Sequence, residues 1–345
     1  MIDIEKFKSL ISGFNKSAIF THPFPDPDAI GSMMGMKWIF SKFGISSDLY
    51  YSGAISHPQN RSMVNLLDPE LILADSFKCG ENNILKVLVD SVPNNAGISC
   101  DSEIVFDLII DHHKESPINF EGMFINLKAG SACATVYELI DKLGLSFDED
   151  NQIDTKVATA MMVGITTDTE NLMSDDCSDF EFEAWSKLFP FRDSVLLKQI
   201  VNFERPKFWI DSKATACSNA VVEESVGVVG MGSIPAKHRD MIADMADEMV
   251  TWEDINTAVV FALVEGNRIE GCVRTKASSL SVPALCLELG GKYGKGGGKL
   301  GKGAYRYELA GASLDEDDDE EIKQGSWQLF EKKEIKRVFK IIRNK

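Results

Sequence analysis

Eight side chains able to bind a hard cation or move a proton sit where apolar runs of the sequence stop: His22, Asp26, Asp28, Asp90, Asp111, His112, His113 and Asp168. Asp111-His112-His113 follows the apolar residues 108–110. It therefore reads as three polar groups at the carboxyl end of a buried strand, the edge at which open α/β sheets bind ligands. Taken singly, each has an ordinary reading: a strand-end histidine, a helix N-cap or a turn carboxylate. Taken together they are a set of carboxylate oxygens and imidazoles, with no cysteine placed for a thiolate zinc site, and such a set suits Mn or Mg. Four separate strand or helix ends delivering these ligands allow two ions to share one bridging carboxylate. That arrangement can activate a water and stabilise the leaving oxygen of a phosphoryl displacement.

The elements that must position these residues follow from the pattern. Residues 4–14 have helical periodicity, and residues 17–21 form a short apolar strand ending at His22. A loop with prolines at 23, 25 and 27 then carries Asp26 and Asp28 into a helix reaching about residue 43; the prolines predict an extended, rigid loop. Residues 86–90 and 107–111 are further apolar runs ending in a carboxylate. Continuous apolar runs alternating with helical segments predict a parallel sheet covered on both faces. Gly130-Ser131-Ala132-Cys133-Ala134-Thr135 opens a helix to about residue 143, and a second helical pattern from Asp154 carries Gly164-Ile165-Thr166-Thr167-Asp168-Thr169. Helices follow over 180–189 and 193–203. The segment 189–211, with Pro190 and Pro206, predicts a connection, beyond which strand-like and helical stretches alternate in a smaller α+β domain.

Charge divides the function classes. Thirty-six Lys and Arg against 53 Asp and Glu give a net charge of −17, which argues against a duplex-binding surface, since nucleic-acid affinity rests largely on phosphate neutralisation. An anionic substrate must meet metal ions or a local basic patch. Residues 290–306 supply one, with eight glycines among Lys292, Lys295, Lys299, Lys302 and Arg306. They read as a loop exposing backbone N–H groups and cations to a phosphate, or as a solvated flexible loop. The seven consecutive acids from Asp315 to Glu321 read as solvated. The basic C-terminal stretch from Glu331 reads as an amphipathic helix, with Trp327, Phe330, Val338, Phe339 and Ile341 on its apolar side. Seven cysteines without a C-x-x-C pair, and no apolar run of 18 residues, predict a reduced, cytoplasmic protein that does not enter a membrane.

The ordered set His22-x3-Asp26-x-Asp28, Asp90, Asp111-His112-His113 and Asp168, followed by a glycine-rich C-terminal half, resembles the DHH phosphoesterases that carry a DHHA1 domain. Within them it is similar to the nanoRNases, which are small oligoribonucleases, and the cyclic-dinucleotide phosphodiesterases. The motifs that carry the resemblance are Asp26-Pro27-Asp28-Ala29-Ile30-Gly31-Ser32 and the stretches 130–135 and 164–169 quoted above. The resemblance implies an α/β fold with a DHH domain over 1–189, a mainly parallel sheet flanked by helices, a linker over 190–211 and a DHHA1-like α+β substrate-binding domain over 212–345. It places the active site in the cleft between the domains. It implies two Mn ions, with Mg as the alternative: His22 and Asp26 on one, Asp28, His112 and Asp168 on the other, and Asp90 bridging. Asp111 would orient a histidine, and His113 would lie at the reacting phosphate. Arg274 in Val273-Arg274-Thr275 resembles the family's strand-end arginine that contacts substrate. Gly296, Gly297, Gly298 and Lys299 stand where the family reads GGGH, so a lysine takes the place of a histidine.

The implied activity is hydrolysis of short oligonucleotides or linear dinucleotides to nucleoside 5′-monophosphates by two-metal water activation. A homodimer is the implied assembly. Two alternatives stand beside it. One is an enzyme acting on 3′-phosphoadenosine 5′-phosphate, cyclic dinucleotides or polyphosphate; the other is a nucleotide-binding regulatory protein with weak catalysis.

Overall fold

A computed structural model of the chain describes residues 2–344 except 79–82, 94–96, 100–102, 115–116 and 310–319, and only the backbone of 320–324. Two compact units emerge, Met1–Glu204 and Arg205–Lys345.

The first unit runs α1 (Ile4–Ile11), β1 (Lys16–Phe20), α2 (Pro27–Lys42), β2 (Ser46–Tyr51), α3 (Pro58–Leu67), β3 (Leu71–Leu73), β4 (Leu85–Val89), β5 (Leu108–Ile110), β6 (Met123–Ile125), α4 (Ala132–Lys142), α5 (Gln152–Asp168), α6 (Asp179–Leu188) and α7 (Ser194–Val201). All six strands pair in parallel, in the order β3-β2-β1-β4-β5-β6. The order reverses between β1 and β4, which opens the crevice at their carboxyl ends where such sheets bind ligands. His22 and Asp90 lie just past those two strands.

The main core is built from the helices, with Ile30, Met33 and Met161 wholly buried against strand residues such as Val87 and Leu108. The other face of the sheet is closed differently from the doubly covered expectation. A smaller cluster does it, in which Phe77 and Phe106 from non-helical segments stack edge-on against Phe20 of β1. Pro27 also departs from expectation. It is the first residue of α2, where a missing N–H costs nothing and Asp26 caps the helix, so Asp28 is helical and not part of an extended loop.

Helices α2 and α5 cross closely because glycines line the crossing. A Cβ at Gly31 would lie 2.7 Å from Cys133 Sγ and 2.8 Å from Ala160 O, and one at Gly164 would lie 2.6 Å from Cys133 Sγ and 2.9 Å from Asp28 Cα. This approach brings the N-terminus of α2 beside the last turns of α5.

The expected connection 190–211 is mostly structured. Ile200 of α7 is buried in the first unit's core, and Trp209 of α8 (Lys207–Asn219) in the second's. The chain therefore divides within that segment, at 204/205, and not at the ends of a long linker.

The second unit continues β7 (Val221–Glu223), β8 (Val226–Ile234), α9 (Met241–Met249), β9 (Thr257–Val264), β10 (Arg268–Thr275), α10 (Val282–Gly290), β11 (Lys295–Lys299), β12 (Lys302–Glu308) and α11 (Glu320–Ile342). Its sheet, β11-β12-β10-β9-β8-β7, is mixed: only β8 and β9 pair in parallel. Met241 and Met245 of α9 pack on one side with Trp209, while Leu285 of α10 and Val338 of α11 belong to the other core. The acidic run expected at 315–321 lies outside the described residues up to 319. Among the described residues no helix is long and apolar enough to cross a membrane, and the five described cysteines are free.

Gly164→Ala is expected to lower stability by about 1–3 kcal/mol through overpacking, against the gain of roughly 1 kcal/mol that helix propensity alone would give. Urea unfolding reads the sign directly, and a more stable variant would show that the α2/α5 crossing is not tight.

Candidate metal centre

The loop after β1 begins with His22, whose Nδ1 lies 2.9 Å from the Pro23 carbonyl. A bond donated there leaves Nε2 as the bare ring nitrogen. That Nε2 faces Asp90 Oδ2 at 3.3 Å and Asp26 Oδ2 at 4.0 Å. Asp26 uses its other oxygen to accept the Ala29 N–H as the α2 cap, at 2.9 Å. One carboxylate thus serves both the helix and the site.

Asp90 follows β4 in a left-handed backbone conformation, φ 54°, held by its N–H donating to the Ile110 carbonyl. Such a conformation is uncommon outside glycine and marks a position fixed by its surroundings. It turns one oxygen toward His22 and the other toward His112 Nε2, at 3.3 Å. His112 Nε2 also lies 3.4 Å from Asp168 Oδ2. Asp168 is the last residue of α5, where a negative side chain beside the helix's own carbonyl ends is unfavourable unless a cation is near. Beneath them, Asp28 is 1% exposed and accepts the N–H groups of Ala132 and Cys133 at the start of α4, at 2.6 and 2.9 Å.

Three groups of donor atoms, each within 4.8 Å of one another, result: His22, Asp26 and Asp90; Asp28, His112 and Asp168; and Asp90, His112 and His113. In the third, His113 Nδ1 hydrogen bonds the wholly buried Asp111 at 2.8 Å. A nitrogen that donates there has no lone pair for a cation, so His113 is held by Asp111 and keeps Nε2 on a half-exposed ring. Asn126 adds a second restraint, its Nδ2 donating to the His113 carbonyl at 2.7 Å.

The donor set fits a divalent cation. Asp90 Oδ1 is buried and faces an imidazole, His112 Nε2 at 3.3 Å, with no backbone N–H donating to it among the described residues, and a buried carboxylate so placed is well completed by a cation. Without one, the charges settle on protons. Burial alone would lower the His22 and His112 imidazoles, yet hydrogen bonds to Asp90 and its charge raise both to about 10. Burial would raise Asp90, but the two imidazoles hold it well below the usual carboxylate range. Asp28 goes the other way, pushed well up by burial and by the charges of Asp90 and Asp168. The Asp111 hydrogen bond raises His113 against the effect of burial. A cavity of about 310 Å³ opens above the cluster, lined by seven of the eight expected residues together with Ser91 and Val92; Asp28 lies below its floor.

All eight residues expected from the sequence therefore meet at one edge of the first unit. The other five belong to the second unit. Arg274 lies near the end of β10 and is gripped by Asp247 of α9 through two bonds, at 2.5 and 3.1 Å. Residues 295–299 are not a loop. They form the edge strand β11, with Gly296, Gly297 and Gly298 pairing with Tyr305, Ala304 and Gly303 of β12. Glycine is required by packing at 296, where a Cβ would lie 2.0 Å from Cys286 O of α10; at 297 nothing stands within 4 Å. Lys299 is exposed at the strand end.

Sequence reading missed Glu181. It is wholly buried and accepts the N–H groups of Gly130 and Ser131, at 2.8 and 3.2 Å. Its signal, Ser178-x-x-Glu181, is a capping box for α6, which announces a helix start and nothing of the reach to α4.

Residues 16–165 match the family model described as "DHH family, N-terminal domain". An uncharacterized protein of Methanocaldococcus jannaschii is 29% identical over 280 residues, 81% of this chain and 55% of its own length. A protein of Listeria monocytogenes named as a cyclic-di-AMP phosphodiesterase is 23% identical over 310 residues, 83% of this chain and 45% of its own. The chain thus spans about half the length of these curated relatives. The crystal structure of an exopolyphosphatase-related protein from Bacteroides fragilis superposes with a TM-score of 0.66 at 15% identity, covering 98% of this chain and 97% of that one, a likeness of fold.

Because His22 and His112 stay protonated up to about pH 10 in the cation-free site, a cation must displace those protons to bind. Mn²⁺ titrated calorimetrically at pH 7.5 in buffers of different ionisation enthalpy is expected to release protons, and its affinity to fall as the pH drops toward 6. The cation-free protein has the opposite sign. Its imidazole–Asp90 pairs are at full strength below pH 6.5, the ordinary histidine value, and are lost as the pH rises through about 10. Affinity independent of pH would place the cation elsewhere.

Proposed function

We propose that this chain, whose residues 16–165 match the N-terminal domain of the DHH family, is a divalent-metal-dependent phosphodiesterase that cleaves short oligonucleotides or linear dinucleotides to nucleoside 5′-monophosphates. The observation that carries this reading is the split engagement of Asp90. Its two oxygens face two imidazoles from different loops, and the carboxylate itself is buried. His22 and Asp26 would hold one cation and Asp28, His112 and Asp168 a second, with Asp90 serving both, and two Mn²⁺ ions, or Mg²⁺, are the proposed occupants. When bound, such a pair polarises a phosphoryl oxygen and lowers the pKa of an attacking water.

The chain's own residues do the rest. His22 and His112 present Nε2, with the His22 ring fixed through Nδ1 by Pro23 O. Asp28 and Asp26 are each anchored to backbone N–H groups at a helix start, so neither carboxylate must reorganise during the reaction. His113 holds a proton at Nε2 because Asp111 secures Nδ1 and raises the ring's pKa, and that proton is placed for the leaving oxygen of a phosphodiester. In the second unit, Arg274 and Lys299 are the proposed phosphate contacts. Since the N–H groups of β11 partly serve its pairing with β12, the lysine side chain and not a backbone nest would meet the phosphate.

The name of the Listeria relative, a cyclic-di-AMP phosphodiesterase, favours one second reading, a cyclic dinucleotide as substrate. Product analysis after incubation with Mn²⁺ and a panel of a 5′-phosphorylated diadenylate, cyclic di-AMP, 3′-phosphoadenosine 5′-phosphate and short polyphosphate separates the readings. AMP from the diadenylate alone supports the first, and turnover of cyclic di-AMP the second. Tight binding of a nucleotide without turnover would leave a regulatory role.

Asp168→Ala, at a half-exposed helix end, is expected to keep the fold and lose turnover. His113→Ala is expected to lower kcat by about 10²–10⁴-fold with both ions retained. Steady-state rates with bound metal measured in parallel check both, and an active Asp168→Ala enzyme would remove the proposed second site.

A further inference from the structure

Five consecutive backbone N–H groups, from Gly130 to Ala134, are each taken by a side-chain oxygen. Those of Gly130 and Ser131 go to Glu181 Oε1, at 2.8 and 3.2 Å. Those of Ala132 and Cys133 go to the two oxygens of Asp28, at 2.6 and 2.9 Å. That of Ala134 goes to Ser131 Oγ, at 3.2 Å. A helix start leaves its first N–H groups without partners inside the helix, and one cap residue ordinarily serves one or two of them. Here they are divided between two buried carboxylates, one arriving on α2 and one on α6.

Glu181 is fully hydrogen bonded. Its Oε2 accepts both the N–H and the hydroxyl of Ser178, at 2.7 Å each, and the side chain is 0% exposed. Among the described residues no lysine, arginine or histidine forms an ion pair with it. Such a group could simply tie α4 to α6. The turn it holds, however, is the one whose next two N–H groups aim Asp28. That turn is also confined from the other side: a Cβ at Gly130 would lie 2.8 Å from Asp176 O and 3.1 Å from Thr169 Cγ2, and Thr169 follows Asp168. The Gly130-Ser131 turn therefore stands between Asp28 and the chain leaving Asp168, both members of the donor group completed by His112.

We infer that Glu181 is a positioning residue for the Asp28/His112/Asp168 cation site: it clamps the Gly130-Ser131 turn and so fixes the Ala132 and Cys133 N–H groups that orient the Asp28 carboxylate. This rests on the cation-binding reading of the cluster. A ligand oxygen must be held to within about 0.5 Å to serve a metal, and each oxygen of the Asp28 carboxylate takes one of these two backbone N–H groups. The clamp acts by position, not charge, because its oxygen is needed as an acceptor at a set distance from two N–H groups.

Two variants separate position from charge. Glu181→Asp keeps the charge but is one methylene too short to reach Gly130 and Ser131 while capping α6. Glu181→Gln loses the charge but keeps an acceptor oxygen at full reach of Gly130 and Ser131; its amide group meets the Ser178 hydroxyl and gives up only the Ser178 N–H bond, which belongs to the α6 cap. Bound and free Mn²⁺ are counted by electron paramagnetic resonance, and the Ala132 and Cys133 amides are followed by hydrogen exchange in the metal-free protein. Wild type is expected to bind two ions. Glu181→Asp is expected to lose about 10–100-fold in affinity at one site only, with faster exchange at Ala132 and Cys133. Glu181→Gln is expected to stay close to wild type in both. The reverse order of the two variants, or two unchanged sites in Glu181→Asp, overturns the inference. Unchanged exchange at Ala132 and Cys133 overturns the positioning step alone, and a wild type that binds no Mn²⁺ overturns the cation reading beneath it. Should Glu181→Asp fail to fold, Ser178→Ala removes one of the two bonds to Oε2, the hydroxyl's, while leaving the Ser178 N–H bond and Oε1 in place; it must weaken the same site by a smaller step, and equal binding at both sites overturns the inference.

Discussion

Gathering five carboxylates, Asp26, Asp28, Asp90, Asp111 and Asp168, into one strand-end cluster is the constraint from which the first unit's construction follows. Charges this close repel by several kcal/mol even at an effective dielectric constant of about 20, and each must be answered by a donor, an imidazole or a cation. The fold answers them one by one. Asp26 and Asp28 meet the N–H groups of helix starts, Asp90 lies between two imidazoles, and Asp111 holds a third. Two further oxygens, Asp90 Oδ1 and Asp168 Oδ2 at the wrong end of a helix, converge from different elements. Both lie against the same histidine, His112.

The helix crossing serves the same end. Asp28 opens α2 and Asp168 closes α5, so their carboxylates share a site only if the two helices run past each other at short range. Gly31 and Gly164 allow that, with Cys133 as the side chain between them. A sheet order that reverses between β1 and β4 sets His22 and Asp90 side by side from the remaining direction.

Most of this was legible in the sequence because polar residues that stop an apolar run have few other reasons to be there. All eight site residues announced themselves that way, and the parallel sheet followed from runs such as 86–90. Three features were not legible, each for a physical reason. Coverage of the sheet's second face by Phe77 and Phe106 comes from segments with no helical period to read. Glycine and lysine disfavour strands on propensity, so residues 295–299 read as a loop; the close approach of α10, which only glycine at 296 permits, overrides that preference. Glu181 acts on a turn 50 residues away in sequence, and a capping box looks the same whether or not its glutamate does anything further.

Among the described residues the lining of the cavity over the cluster holds no lysine or arginine, and the chain as a whole carries a net charge of −17. A phosphate approaching it meets Asp26, Asp90, Asp111 and Asp168 with only imidazolium charge to offset them. Phosphate sites built from side chains use arginine forks or lysines for this purpose; the lysine-rich strand and Arg274 lie in the other unit, and Arg274 is already matched by Asp247. Under the proposed function, the attraction for an anion in the first unit would come from the cations that the carboxylates collect. Binding of the substrate and its chemistry would then depend on the same ions, and the residues that position those carboxylates, down to the buried glutamate behind α4, would bear on affinity as well as on rate.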